Sequence, residues 1–155
     1  YFDSKVKGGN SILRAIHYPP ITSEPKGAVR AAPHGDINLI TILMGASAAG
    51  LEVQTRSGNW IPVTALPNQV VINIGDMMSR LTNNKLHSSI HKVINPPKEE
   101  WSKPRFSIPF FMHPRSEMSL NCLPSCISDQ NPKKYKDITA GQFLEERIKE
   151  LGLKK

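Results

Sequence analysis

Short runs in which apolar side chains take alternate positions follow one another along most of the chain, separated by Pro, Gly and Asn. A period of two marks extended chain with one buried face. It predicts strands over 11–17, 38–44, 51–55, 59–62, 69–74, 88–95 and 105–111. Turn-forming residues bound them: Pro19-Pro20, Pro33, Ser57-Gly58-Asn59, Pro67-Asn68, Gly75-Asp76, Asn83-Asn84 and Pro96-Pro97. Short strands at regular spacing belong to a closed or double-sheet all-β domain. Near the end the period changes. Phe143, Leu144, Ile148 and Leu151 recur at helical spacing, and Thr139 with Gln142 forms a capping box, so one helix is expected to close the chain near Gly152. The stretch 121–137, rich in Pro, Ser, Asn and Lys, reads as a surface loop.

Composition narrows the function classes. With 155 residues, 39% hydrophobic and 21% charged, the chain can build one domain with a real core and is too apolar for wholesale disorder. The longest uncharged stretch, 37–51, is interrupted by Asn38, Thr41 and Ser47. It falls short of the ~20 apolar residues that span a bilayer, so no membrane partner is expected. Residues 1–7 contain neither an apolar signal segment nor an initiator Met. We therefore expect 1–155 to be a single domain and a piece of a longer protein.

Cys122 and Cys126 are too few for a disulfide scaffold and have no His cluster beside them for zinc, so they are expected to be reduced, in the cytoplasm. The net charge of +7 raises nucleic acid as a partner. However, the basic residues are scattered, and the clusters at Lys133-Lys134-Tyr135-Lys136 and Lys154-Lys155 lack an aromatic stacking motif. An ordinary solvated face is expected instead.

The sharpest chemical feature is His34-Gly35-Asp36. In extended chain, residues i and i+2 share a face, so an imidazole and a carboxylate converge. An open iron site of the facial-triad type needs one more His, for which His17, His87, His91 and His113 are the candidates. His87 and His91 share strand parity, but four extended residues separate them by roughly 13 Å, so they cannot hold the same ion. Arg105-Phe106-Ser107 sets a guanidinium beside a hydroxyl by the same period, a pair suited to a carboxylate.

Together and in this order, these elements resemble the 2-oxoglutarate/Fe(II)-dependent oxygenases of the isopenicillin N synthase-like type. The match runs from about Leu13 to about Leu151. It includes Ala32-Pro33-His34-Gly35-Asp36, Gly58-Asn59-Trp60-Ile61-Pro62-Val63, Val71-Ile72-Asn73-Ile74-Gly75-Asp76-Met77-Met78, His91-Lys92-Val93-Ile94-Asn95-Pro96-Pro97, Arg105-Phe106-Ser107-Ile108-Pro109-Phe110-Phe111 and Ile138-Thr139-Ala140-Gly141-Gln142-Phe143-Leu144.

The resemblance implies an all-β fold, a double-stranded β-helix (jelly roll) with a C-terminal helix. It implies His34, Asp36 and His91 as ligands of Fe(II), with His91 preferred over His87 because the basic residue, Val and Asn-Pro-Pro turn of the family follow it. It further implies that Arg105 and Ser107 hold the distal carboxylate of 2-oxoglutarate. The resemblance also implies a cosubstrate hydrogen bond from Tyr18, although Ile16 stands where plant members have Asn. Phe111 shares parity with Arg105 and is a candidate for the substrate side. His87 is read as a strand residue near the pocket rim, and His17 and His113 as structural.

The implied activity is that of a dioxygenase, consuming O2 and coupling oxidative decarboxylation of 2-oxoglutarate to hydroxylation or a related oxidation of a small organic substrate. A non-2-oxoglutarate oxidase on the same scaffold and an inactive jelly-roll binding module are the alternatives. Relatives carry an amino-terminal region that packs on the barrel; without it, exposed apolar surface would favour a homo-oligomer.

Overall fold

The computed structural model describes residues 1–66 and 68–153. A short α1 (Asp3–Val6) precedes ten strands: β1 (Ile12–Leu13), β2 (Ile16–Tyr18), β3 (Ala31–His34), β4 (Ile40–Met44), β5 (Leu51–Gln54), β6 (Trp60–Pro62), β7 (Val70–Ile74), β8 (His91–Val93), β9 (Arg105–Ser107) and β10 (Pro109–Met112). α2 (Asp76–Leu81) lies between β7 and β8, and α3 (Ala140–Glu150) closes the chain. The strands form two four-stranded sheets, β1-β10-β4-β7 and β3-β8-β5-β6, and the two-stranded β2-β9. All pairings are antiparallel. The fold is a jelly roll closed by one helix, as the sequence predicts.

Two predicted strands are each divided in two. The run 11–17 becomes β1 and β2, and 105–111 becomes β9 and β10, interrupted at Arg14-Ala15 and at Ile108. The two breaks face each other. β1 pairs with β10 in one sheet and β2 with β9 in the other, and the Arg14 amide donates to the Pro109 carbonyl at 3.0 Å across the bend. Both chains thus turn the same corner together, carrying one antiparallel pair between sheets.

The register of the β1-β10-β4-β7 sheet sorts its side chains cleanly. Phe110, Ile42 and Ile72 form one cross-strand row, and Met112, Ile40 and Ile74 another. The residues between them, Thr41, Leu43, Asn73, Pro109 and Phe111, line the interior cavity. Apolar residues occupy both faces, so within 40–44 only Thr41 breaks the hydrophobic run.

The main core lies outside the barrel mouth. Leu39, Met77, Met78, Leu81, Met118, Leu120, Ile138, Ala140 and Phe143 cluster around α2 and α3, while only Leu43, Leu51 and Val93 form a second buried cluster. The sequence pattern marks Gly75-Asp76 only as a turn, yet it opens α2, whose Met77, Met78 and Leu81 are buried. Gly75 is needed there because a Cβ would stand 2.1 Å from the Asn38 carbonyl oxygen and 3.0 Å from that of Asp36. α3 begins at the expected capping box, in which Thr139 and Gln142 bond reciprocally. Phe143 is buried and Leu144 packs beside the core, whereas Leu151 is exposed as the C-cap.

The stretch 121–137 is less of a free surface loop than expected. Cys122 and Cys126 are free and buried. The fully buried Asn83 donates through Nδ2 to the carbonyls of Asn131 and Pro132 and accepts from the Lys134 amide, which ties the stretch to the end of α2. Among the described residues, no helix is long and apolar enough to cross a membrane.

Candidate metal centre

The site begins with an irregularity in strand pairing. β3 and β8 pair Ala31 with Val93 and His34 with His91, so β3 fits three residue steps against two. The extra residue is a β-bulge, a device that re-aims side chains. Strict alternation would send Ala31 and His34 to opposite faces, yet both line the cavity. His91 and Val93 reach it from β8 by ordinary alternation. The two imidazoles consequently sit with ring centroids 4.3 Å apart.

Asp36 follows two residues after His34. Its carbonyl accepts the Asp76 amide at 2.8 Å, so the start of α2 holds the turn from behind. Each of His34, Asp36 and His91 offers one ligand atom, and these atoms all lie within 4.8 Å of one another. His91 Nε2 is 3.9 Å from Asp36 Oδ1.

The remaining atoms of the triad are already committed. His34 Nδ1 bonds to the Ala32 carbonyl at 2.7 Å, and His91 Nδ1 to that of Ser89 at 3.1 Å. A carbonyl only accepts, so each Nδ1 carries the hydrogen and each Nε2 presents its lone pair. Asp36 Oδ2 accepts from the Thr41 hydroxyl at 2.7 Å, and Thr41 Oγ1 accepts in turn from Asn38 Nδ2 at 3.2 Å. Oδ1 is left facing the imidazoles.

Asp36 is buried, and among the described residues its only ion-pair partner is His91. A buried carboxylate without a permanent cation is costly, and a divalent ion bound by Oδ1 and the two Nε2 atoms removes that cost. Nitrogen and oxygen donors with open positions suit non-haem iron. The half-buried His113 lies within the field of Asp36; burial holds its pKa below the ordinary value, and the carboxylate partly offsets this.

The second half of the site is cationic. Arg105 and Ser107 point inward from β9, each buried, opposite Tyr18 and Ile16 of β2. Arg105 is only 2% exposed. Its Nε donates to the carbonyls of Ala48 and Ala49 at 3.1 and 3.2 Å, but Nη1 is buried with no hydrogen-bond partner. Burial pushes the Arg105 pKa down, Tyr18 opposes this, and Arg30 adds to it. An orphaned N–H of this kind costs stability until an acceptor arrives, and a carboxylate fits the guanidinium fork.

One cavity of about 250 Å³ contains the triad, Thr41, Arg105, Ser107, Tyr18 and Phe111. A second of equal volume also reaches Arg105, but Leu43, Leu51, Val63 and small side chains line it, and it holds no other charged group.

The structure thus brings together in one cavity the seven residues to which the resemblance gives a site role: Tyr18, His34, Asp36, His91, Arg105, Ser107 and Phe111. His87 lies outside the group: it is exposed, in a stretch without strand structure, because the strand predicted over 88–95 is confined to β8. His17 is exposed and stacks on Phe106 at 4.8 Å. Sequence reasoning missed Thr41 and Asn38, treating them as interruptions of an apolar run. For Thr41 the signal was parity, since a polar residue sharing a face with buried Leu43 needs a buried partner; Asn38, outside β4, carried no such signal. Arg30 was also missed, having no motif around it.

Comparison with known proteins agrees with this chemistry. The family model of the 2OG-Fe(II) oxygenase superfamily matches residues 9–114. The chain is 34% identical over 147 residues to the 2-oxoglutarate-Fe(II) type oxidoreductase hxnY of Emericella nidulans, covering 93% of this chain and 41% of that protein. It is 32% identical over 161 residues to kihadalactone A synthase LFS of Citrus sinensis, covering 98% and 46%. Among solved structures, a Caulobacter crescentus protein assigned to the 2OG-Fe(II) oxygenase family superposes with a TM-score of 0.89 at 48% identity, covering 97% of this chain and 48% of that one. A full-length Neurospora crassa protein, in complex with alpha-KG and thymine, superposes with a TM-score of 0.88 at 38% identity, covering 97% and 47%. The chain therefore spans less than half the length of these relatives.

The bond from Thr41 to Asp36 generates a test. Thr41→Val keeps the shape and removes the donor, and loss of such a supporting hydrogen bond weakens metal affinity by about 10- to 100-fold. Calorimetric titration with Mn(II) should show this loss, with Thr41→Ser close to the parent. An affinity within threefold of the parent for Thr41→Val would remove Thr41 from the site.

Proposed function

The chain belongs to the 2OG-Fe(II) oxygenase superfamily, and from that premise we propose that it couples oxidative decarboxylation of 2-oxoglutarate to oxidation of a small organic molecule. One observation carries the reading. A His-Asp-His cluster with its three free donor atoms turned together shares a cavity with the buried Arg105 guanidinium, whose Nη1 has no acceptor. The binding of alpha-KG by the Neurospora crassa protein supports the choice of cosubstrate.

Each residue has a defined task. His34, Asp36 and His91 hold Fe(II) through Nε2, Oδ1 and Nε2, in geometry set by the Ala32 and Ser89 carbonyls and by Thr41. Arg105 and Ser107 bind the distal carboxylate of 2-oxoglutarate, and Tyr18 bounds it from β2. Bound iron with its cosubstrate supplies the oxygen chemistry. The protein orients the dicarboxylate, keeps bulk water from the cavity floor, and leaves Phe111 and the exposed His34 toward the incoming substrate. Residues 1–155 are read as one catalytic domain. The two free, buried cysteines support a reducing compartment, the cytoplasm.

We extend the proposal to homo-association. The outward side of the β1-β10-β4-β7 sheet exposes Leu13, Met44, Val70 and Ile72, with Ile108 beside them. A contiguous apolar face of this kind favours burial against a second copy.

Three outcomes test these readings. Asp36→Ala should abolish succinate formation from 2-oxoglutarate in the presence of Fe(II), and undiminished succinate would overturn the metal assignment. Arg105→Ala leaves a bound carboxylate unpaired, a change typically worth about 2–5 kcal/mol. The dissociation constant for 2-oxoglutarate should rise at least ~30-fold, and an unaltered constant would contradict the role. Light scattering over rising concentration should show a dimeric mass, and a monomer at every concentration would exclude the association.

A further inference from the structure

Two arginines, not one, line the cavity with unmet hydrogen-bonding capacity close to Tyr18. Arg30 immediately precedes β3 and reaches the same cavity as Arg105. Its Nη2 donates to the Lys103 carbonyl at 3.3 Å, while its Nε is buried with no partner. Its guanidinium carbon lies 5.9 Å from the Tyr18 ring centroid, and that of Arg105 lies 5.2 Å from the same centroid. One aromatic platform therefore serves both charges.

Neither cation has a carboxylate partner among the described residues; the ion pairs found there involve other groups. Their mutual repulsion is felt, since the charge of Arg30 adds to the burial that lowers the Arg105 pKa. Among the described residues Asp36 is the one carboxylate lining the cavity, and the triad already claims it. Two like charges held near each other, each with an orphaned N–H, destabilise the empty pocket and are relieved together by an incoming anion.

We propose that Arg30 is a second anion-recognition residue, which acts beside Tyr18 to select a cosubstrate bearing a distal carboxylate. The inference rests on the cosubstrate reading above and adds a residue that its motif does not contain. Arg105 provides the close fork and Ser107 a hydroxyl, as assigned above. Arg30 adds a second positive charge at the same Tyr18 ring, so that an acid lacking the distal carboxylate gains nothing from it.

A pair of ligands isolates that contribution. 2-Oxoglutarate and 2-oxopentanoate share the keto acid end and chain length, and only the first has the second carboxylate. Dissociation constants are measured by calorimetry on the whole chain with Mn(II), without oxygen. In Arg30→Met the preference for 2-oxoglutarate over 2-oxopentanoate should fall about 5- to 20-fold, and Arg30→Lys, which keeps the charge, should restore most of it. In the parent, rising salt should weaken 2-oxoglutarate more than 2-oxopentanoate.

A preference unchanged within twofold in Arg30→Met would overturn the role of Arg30, as would equal loss in the Lys and Met variants, which marks a packing role. Should Arg30→Met fail to fold, Arg30→Gln is read by the same ratio. If the parent itself does not prefer 2-oxoglutarate, the cosubstrate reading fails first; if Arg105→Ala abolishes the preference and Arg30→Met does not, only the present inference fails.

Discussion

The site depends on the register of two short antiparallel strands. His34 and His91 stand opposite each other, and the bulge between Ala31 and His34 turns both residues of β3 toward the cavity. A slip of one residue would carry His91 and Val93 to the outer face together, because side-chain direction alternates with every step. β5 holds β8 from its other edge, pairing Val53 with His91 and Leu51 with Val93. The second imidazole is therefore fixed from both sides, and the distance between ligand atoms follows from backbone pairing.

An interior built this way cannot also be the main source of stability. Asp36, Thr41, His91, Arg105 and Ser107 are all buried, and they occupy positions that apolar side chains fill in an ordinary barrel. Compensation comes from the separate apolar cluster around α2 and α3, which packs against the back of the turn bearing Asp36. α2 joins the two functions. Its first amide binds the Asp36 carbonyl, and its Met77, Met78 and Leu81 enter the core, so the metal turn is braced by the best-packed part of the molecule. Gly75 allows that contact, since any larger residue would meet the Asn38 and Asp36 carbonyls.

The errors of sequence reading have a common cause. Neither Arg14-Ala15 nor Ile108 carries a Pro, Gly or Asn turn signal, so the pattern cannot register that both chains change sheets there; the corner is set by their pairing with each other. The six residues of α2 are too few to establish a helical period. The stretch 121–137 has the composition of a solvated loop, yet one buried amide, Asn83, bonds four of its backbone groups and draws it onto the core. Helix α3 was legible because its start is encoded within four residues, by Thr139 and Gln142.

By itself the sequence determined the fold class, the closing helix, and the residue types and parity of the candidate site: His34 with Asp36, and Arg105 with Ser107. These depend on local spacing, which the chain carries wherever it folds. Tertiary structure decided what lies beyond local reach. It set His91, which the family resemblance already favours over His87, opposite His34 by strand pairing, and it brought His34 onto the cavity face through a bulge. It gave Thr41 and Asn38 a purpose behind Asp36, and it set Arg30 beside Tyr18 opposite a guanidinium far along the chain. Distances between groups remote in sequence are fixed by registry and packing, and no local pattern contains them.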